Sequence, residues 1–287
     1  VATINNAPYF APTPQPPQRQ YGIFDVALGP MPFPVPEAVG GGVLYVPDTC
    51  EDDVFLYAMN CPPVSGSKTF SLNEAPVSGA PFAVITSYTC GAIGYSFEES
   101  EQKVRTRMSL REQRAVERRI WQGQPGGGSS LGTIPGLFGG ATSLGAAGCV
   151  TEAVELLEQA LADNGVLGGI IHARPGMAAH LSQGHLLERP RANLITTFLG
   201  TPVSFGQGYS GIGPNGQPTT GTTEFMYASG RVVIWQSDVQ VPPLRETFDR
   251  AGNQIMTLAE RVYAVAIECG VWAVEVTRSC TTAGGGV

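Results

Sequence analysis

Charge is scarce in this chain, and lysine scarcer. Charged residues fill 14% of its 287 positions, lysine occurs only at Lys68 and Lys103, and histidine only at His172, His180 and His185. The net charge is −7, and no basic patch interleaved with aromatics occurs, which argues against a nucleic-acid reader. No run approaches the ~18 apolar residues of a membrane-spanning helix. The opening VATINNAPYFAPTPQPPQRQ lacks the basic and apolar regions of a signal peptide, and the chain has no Asn-x-Ser/Thr sequon. The six cysteines (Cys50, Cys61, Cys90, Cys149, Cys269, Cys280) form no Cys-x-x-Cys pair, which argues against a zinc knuckle. Reduced thiols are the expectation, with disulfides formed later, outside a cell, left open.

Signatures of turnover chemistry are missing too. The histidines are spaced by 8 and 5, so they do not share a helical face, and His-Glu-x-x-His is absent. Ordinary hydrogen-bonded histidines are the preferred reading. GYSGIG around Ser210 approaches a nucleophile elbow, but Ile212 stands where that pattern needs glycine. QGQPGGGSSLGTIPGLFGG has the glycines of a phosphate cradle without the Gly-Lys-Ser/Thr that completes one, so it reads as a connector. No acid pair has a glycosidase layout. No catalytic residue, metal site or cofactor is expected. A soluble hydrolase using His172, Ser210 or a cysteine stays as the reading from a different class.

What the chain has in quantity is glycine (37) and proline (23), about a fifth of all residues, which promises loops, turns and extended arms. Proline concentrates in the first 40 residues, where PTPQPP and GPMPFPVP favour extended backbone unable to build a core alone. The apolar residues there (Tyr9, Phe10, Tyr21, Ile23, Phe24, Met31, Phe33) suggest an arm lying on another surface.

The chain is organised around residues 96–121, SFEESEQKVRTRMSLREQRAVERRIW. Ser96 and Glu99 form a capping box. Acids crowd the start (Glu98, Glu99, Glu101) and bases the end (Arg114, Arg118, Arg119), as a helix macrodipole favours. The apolar positions Phe97, Val104, Met108, Ala115, Val116 and Ile120 make a thin stripe on a helix about 39 Å long. Five acids and seven bases fill the rest. Such a helix suits a strut across a sheet, with neighbouring chains beside it.

Around the strut, VLYVP, DVFLYAM and PFAVITSYTC read as strands, with Lys68 near the tip of a long hairpin. A helix is expected at Thr151–Asn164, stopped by Gly165. VLGGIIHA reads as a buried strand, and Pro175 opens a short helix. TTEFMYA and RVVIWQSDV read as strands around a tight turn at Gly230. A helix at about 253–262 is expected to lead into a closing strand pair, YAVAIEC and VWAVEVTRS. Strands and helices intersperse without a strict βαβ rhythm, so the class is α+β.

The order of these parts resembles the major capsid proteins of tailed bacteriophages, the Hong Kong 97-type fold. The helix start SFEESEQ and its exit VERRIWQGQPGGGSSLGTIPGL are similar to the family's helix and glycine loop. GGIIHARPGMAAHL, FLGTPVSFGQGY and FMYASGRVVIWQSDVQV resemble its later strands and turn, and Ala259-Glu260-Arg261 its Glu-Arg position. The resemblance covers about residues 43–278. It implies an N-terminal arm (1–42), an extended β-hairpin (43–95), a peripheral domain (96–164) with a spine helix at 96–121, an axial domain (165–255) and a return to the peripheral domain (256–287). GYSGIGPNGQPTTG would then lie near a capsomer axis. It further implies self-assembly as pentamers and hexamers, with scaffold, portal and decoration proteins as partners and double-stranded DNA enclosed without sequence-specific binding. No membrane is involved, and the place of action is the virion capsid, with host cytoplasm during assembly. An encapsulin-like compartment of the same fold is the nearest alternative. Some family members crosslink their shells, which makes Lys68, Asn253 and Glu260 candidates for amine, carboxamide and base.

Overall fold

The Ser96 capping box forms as the local sequence dictates. The Glu99 amide donates to Ser96 Oγ at 3.1 Å, and the Glu99 carboxylate accepts from the Ser96 amide at 3.0 Å. The computed structural model describes residues 20–47, 76–91, 96–124, 134–242, 248–249 and 254–278. In chain order the elements are α1 (Ile23–Val26), β1 (Leu28–Pro32), α2 (Ala38–Gly41), β2 (Val43–Tyr45), β3 (Val77–Gly79), β4 (Pro81–Gly91) and α3 (Phe97–Trp121). Next come β5 (Gly123–Gln124), β6 (Ile134–Pro135), β7 (Thr142–Ala147), α4 (Val150–Asp163), β8 (Ile170–Ala173) and α5 (Met177–Gln183). The hairpin β9 (Leu187–Arg191) and β10 (Leu194–Thr197) precedes β11 (Val203–Phe205) and β12 (Thr223–Ser229). The last elements are β13 (Val232–Gln236), β14 (Phe248–Asp249), β15 (Gln254–Ile267) and β16 (Val271–Thr277).

Two five-stranded sheets result. In the first, β1, β13, β15 and β14 follow one another and β4 takes the other edge of β15. The second runs β11-β8-β12-β16-β7. The chain therefore changes sheet between β12 and β13, and again between β15 and β16. The closing strands β15 and β16 were expected as a pair, and that expectation is corrected; the strands on either side of Gly230 likewise lie in different sheets. Sequence neighbours with tight turns usually pair, but here each turn hands the chain to a different layer.

The helix α3 lies across β4 and β15. Its inward row is Ser100, Val104, Met108, Glu112, Val116 and Ile120, all buried and each four residues from the last. The two polar members have partners below: Ser100 Oγ lies 2.6 Å from Thr257 Oγ1, and Glu112 pairs with Arg261 at 2.9 Å. At the end of the helix, Trp121 stacks edge-on against Tyr227 (4.6 Å between ring centres), and its indole donates to the Ile212 carbonyl at 2.9 Å. Phe138, Ile234 and Tyr263 complete this core between the sheets. A second core fills the space between α4, α5 and the second sheet, around Leu157, Ile171, Met177, Leu181 and Trp272. Each such side chain stabilises the fold by about 1.5–3 kcal/mol through burial.

The helix expected at 253–262 is instead the first part of β15. Burial alternates there: Ile255, Thr257 and Ala259 are buried while Met256 is half exposed. Leu, Ala, Glu and Arg favour helix locally, but eleven paired positions from Gln254↔Gly91 to Ala264↔Pro81 decide for strand. Residues 20–42 are also not a detached arm. Ile23 is fully buried, Phe24 stacks on Tyr263, and Phe33 packs beside Val233 and Trp235. The expectation that Phe24 and Phe33 find cover only between copies is corrected, whereas Tyr9 and Phe10 lie outside the described residues. The strand expected at DVFLYAM and Lys68 lie outside them too. At the base of that segment β2 pairs with β3 (Val43↔Gly79).

Candidate functional site

His172 sits on β8 with no exposed surface. The Ser229 hydroxyl donates to the Gly230 carbonyl at 2.8 Å, so it accepts from His172 Nε2, also at 2.8 Å. That leaves Nδ1 to accept from the Tyr209 hydroxyl at 3.0 Å, and Tyr209 in turn takes the Ser204 hydroxyl at 2.9 Å. The tautomer follows from this network. Burial pulls the His172 pKa down to about 3, so the ring is neutral. Both its nitrogens are occupied in a chain that ends on backbone, and a proton acceptor for a nucleophile is not left over. Ser210 Oγ instead faces the Ile212 amide at 3.4 Å. His180 is half-buried on α5, and His185 is an exposed loop residue at φ 54°. Cys90 is a free thiol. Cys269 is disulfide-bonded, which corrects the expectation of reduced thiols at that position; its partner lies outside the described residues. Among the described residues, the parts of a hydrolase are not brought together.

Of the three crosslink candidates, Lys68 and Asn253 lie outside the described residues. Glu260 is on β15, half-buried, in register with Ile85. Its backbone amide and carbonyl both bond to Gln240.

Sequence reasoning missed a set of buried carboxylates, each joining segments remote in the chain. Glu117 is almost fully buried on α3. Its carboxylate accepts from the Ile23 amide (3.2 Å), Gln113 Nε2 (3.0 Å) and the Gly208 amide (2.9 Å). Burial raises its pKa, and the donors from Gly208, Gln113 and Ile23 work against that shift. The close approach of the loop requires glycine at 208, since a Cβ there would lie 2.3 Å from the Arg114 carbonyl oxygen. Glu268, with no exposed surface, takes a forked pair of bonds from Arg231 (3.0 and 2.9 Å) and the Tyr45 hydroxyl at 2.7 Å. Burial and that bond push the Tyr45 pKa up. Glu224 holds Arg174 and Arg278 at 3.3 and 3.2 Å. These contacts fasten α1, the base of the 43–79 segment and the end of β16 to the body. They hold backbone in place. Glu117 was findable in principle, as an acid at a position flanked by Val116, Ile120 and Trp121.

The architecture has known counterparts. The chain is similar to the structure described as the capsid of a native GTA particle, at 12% identity over 95% of this chain and 96% of that one, with a TM-score of 0.56. It is similar to the capsid of Ralstonia phage GP4 at 11% identity over 98% of both chains, with a TM-score of 0.55. The head structure of Helicobacter pylori bacteriophage KHP40 matches at 12% identity over 96% of both, with a TM-score of 0.51. No family model matches the chain, and no curated protein does. At such identities the likeness is one of fold. The fold is the α+β phage capsid fold, the Hong Kong 97 type that the sequence resembles.

Proposed function

We propose that this chain is the major capsid protein of a tailed bacteriophage. Copies assemble as pentamers and hexamers into an icosahedral shell around double-stranded DNA. The observation that carries this reading is the likeness to phage capsid and head structures along essentially the whole of both chains. In this reading α3 is the spine of a peripheral domain (96–164 and 256–287), residues 165–255 form the axial domain, and the segment before residue 20 and the hairpin segment reach neighbouring copies. Scaffold, portal and decoration proteins are its partners. The net charge of −7 supports containing DNA rather than gripping its phosphates. The protein works in the virion capsid after assembly in host cytoplasm, and turns over no substrate.

The test is electron microscopy of the purified protein, expressed alone and with its scaffold. Closed shells are the expected result, and a stable monomer under every condition overturns the reading. Shells that enclose cargo protein instead of DNA in the native particle replace it with the encapsulin-like alternative. A crosslink between Lys68 and Asn253, with Glu260 accepting the amine proton, is a separate proposal, tested below.

A further inference from the structure

Three apolar side chains stand in solvent at one end of the second sheet. Leu167 is 67% exposed, Phe198 77% and Leu199 75%. Because β8 and β11 are parallel and in register (Val203↔Ile171), the segments entering them start from the same end. Leu167 lies three residues before β8, and Phe198–Leu199 lie just before β11.

The turn that carries Phe198 and Leu199 is held from within. The Thr197 amide donates to the Thr201 carbonyl at 2.8 Å, and the Gly200 amide to the Thr197 carbonyl at 3.0 Å. Both threonine hydroxyls donate to the Glu158 carboxylate on α4. The polar groups of the turn are thus satisfied on its inner side, and the two large side chains project outward. With Leu167 they expose on the order of 400 Å² of surface, in the range of the largest apolar patch on a typical monomer, which is often functional. That is about half of what one partner contributes to a standard interface of ~800 Å² per side. The patch is too small to hold a dimer by itself and large enough to anchor a repeated contact.

Its rim is acidic. Asp163 and Glu188 are exposed. The nearby Arg189 is turned away, over the Tyr21 ring and onto the Ala192 carbonyl. The same chain carries an apolar groove edged by charge of the opposite sign. Between β4 and α3 runs a groove of about 220 Å³, walled by Phe82, Val84 and Ala115 and flanked by Arg118 and Arg119.

We propose that the Phe198–Leu199 tip docks into the β4–α3 groove of a second copy of this chain. The contact is head-to-tail, using two different patches, and such contacts generate rings when the rotation closes. The inference rests on the shell reading and adds which surfaces meet within it.

The experiment compares assembly of the wild-type chain with Phe198→Ser/Leu199→Ser, both exposed positions whose loss leaves the two cores untouched. The expected result is an unchanged circular dichroism spectrum and melting curve, with the concentration needed for assembly raised at least tenfold. A second arm mixes Leu199→Cys protein with isotopically labelled Ala115→Cys protein under mild oxidation, and a mixed 199–115 disulfide peptide is expected by mass spectrometry. A variant that assembles at the wild-type concentration, or assembled particles without that peptide, overturns the tip contact and leaves the shell reading standing. Wild-type protein that never assembles overturns both.

Discussion

The amide of Gly230 donates to the carbonyl of Gly270 at 3.2 Å, and that bond joins the two places where the chain leaves one sheet for the other. Beside it the Glu268 amide donates to the Arg231 carbonyl at 3.0 Å. A Cβ on Gly230 would lie 2.1 Å from the Glu268 carbonyl oxygen, so no side chain fits without moving one crossing off the other. Gly230→Ala is expected to cost about 1–3 kcal/mol, the range for overpacking a tight contact. Urea denaturation of the unassembled subunit measures it, and a neutral result would show that the crossings are independent.

Glu117 offers a test of how the N-terminal segment is anchored. Glu117→Gln keeps the shape but places an amide donor among backbone donors, leaving a buried N–H without an acceptor. A loss of about 1–3 kcal/mol is expected, with faster hydrogen exchange at the Ile23 and Gly208 amides. Because burial raises the pKa of this carboxyl in the folded chain, the folded state holds its proton more tightly than the unfolded one. This group's contribution is fully present below its unfolded pKa and lost as pH rises through its folded one. Glu117→Gln removes that pH dependence.

His172 acts in the opposite direction. Its folded pKa is about 3 against an ordinary 6.5, so the unfolded chain binds a proton that the folded chain refuses. Stability from this residue is present above pH ~6.5 and falls away toward pH ~3, with a slope of at most about 1.4 kcal/mol per pH unit. Comparing wild type with His172→Gln in denaturant titrations across that range should show a shallower acid limb in the variant. Parallel curves would contradict the assignment.

The two faces of α3 should differ sharply. Val104 and Met108 are buried against Ala259, and truncating either to Ala is expected to cost about 2–5 kcal/mol. Arg105 pairs with Glu101 at 2.8 Å on the exposed face, and Arg105→Ala is expected to cost under ~0.5 kcal/mol. Thermal melts of the subunit separate these outcomes.

Denaturing electrophoresis of assembled particles decides the crosslink. A ladder that survives reductant and is lost in Lys68→Ala would establish the bond, and a single monomer band would dismiss it. A ladder that collapses on reduction would point to disulfides instead.

How much of this was legible in the sequence follows the range of the interactions. Ser96 and Glu99 are three residues apart, and their cap could be read directly. So could α4, where Ala153, Leu157, Ala160 and Leu161 recur at helical spacing. Glu117 reaches partners 94 and 91 residues away, and nothing local marks them. The first part of β15 carries helix-forming residues, and only its pairing with β4 makes it a strand. In the N-terminal segment, the prolines on either side obscured Tyr21-Gly22-Ile23-Phe24, a proline-free cluster whose isoleucine and phenylalanine enter the core. The candidate crosslink residues came from resemblance alone, and only Glu260 can be placed.

The long pairing of β4 with β15 also has a mechanical meaning. A pull along the strand axis loads all eleven paired positions in shear, and they must give way together. A pull across the strands would peel them one at a time from an end. If tension in a filled shell runs along this ribbon, the subunit meets it in its strong direction, with α3 lying across the same two strands as a brace against peeling.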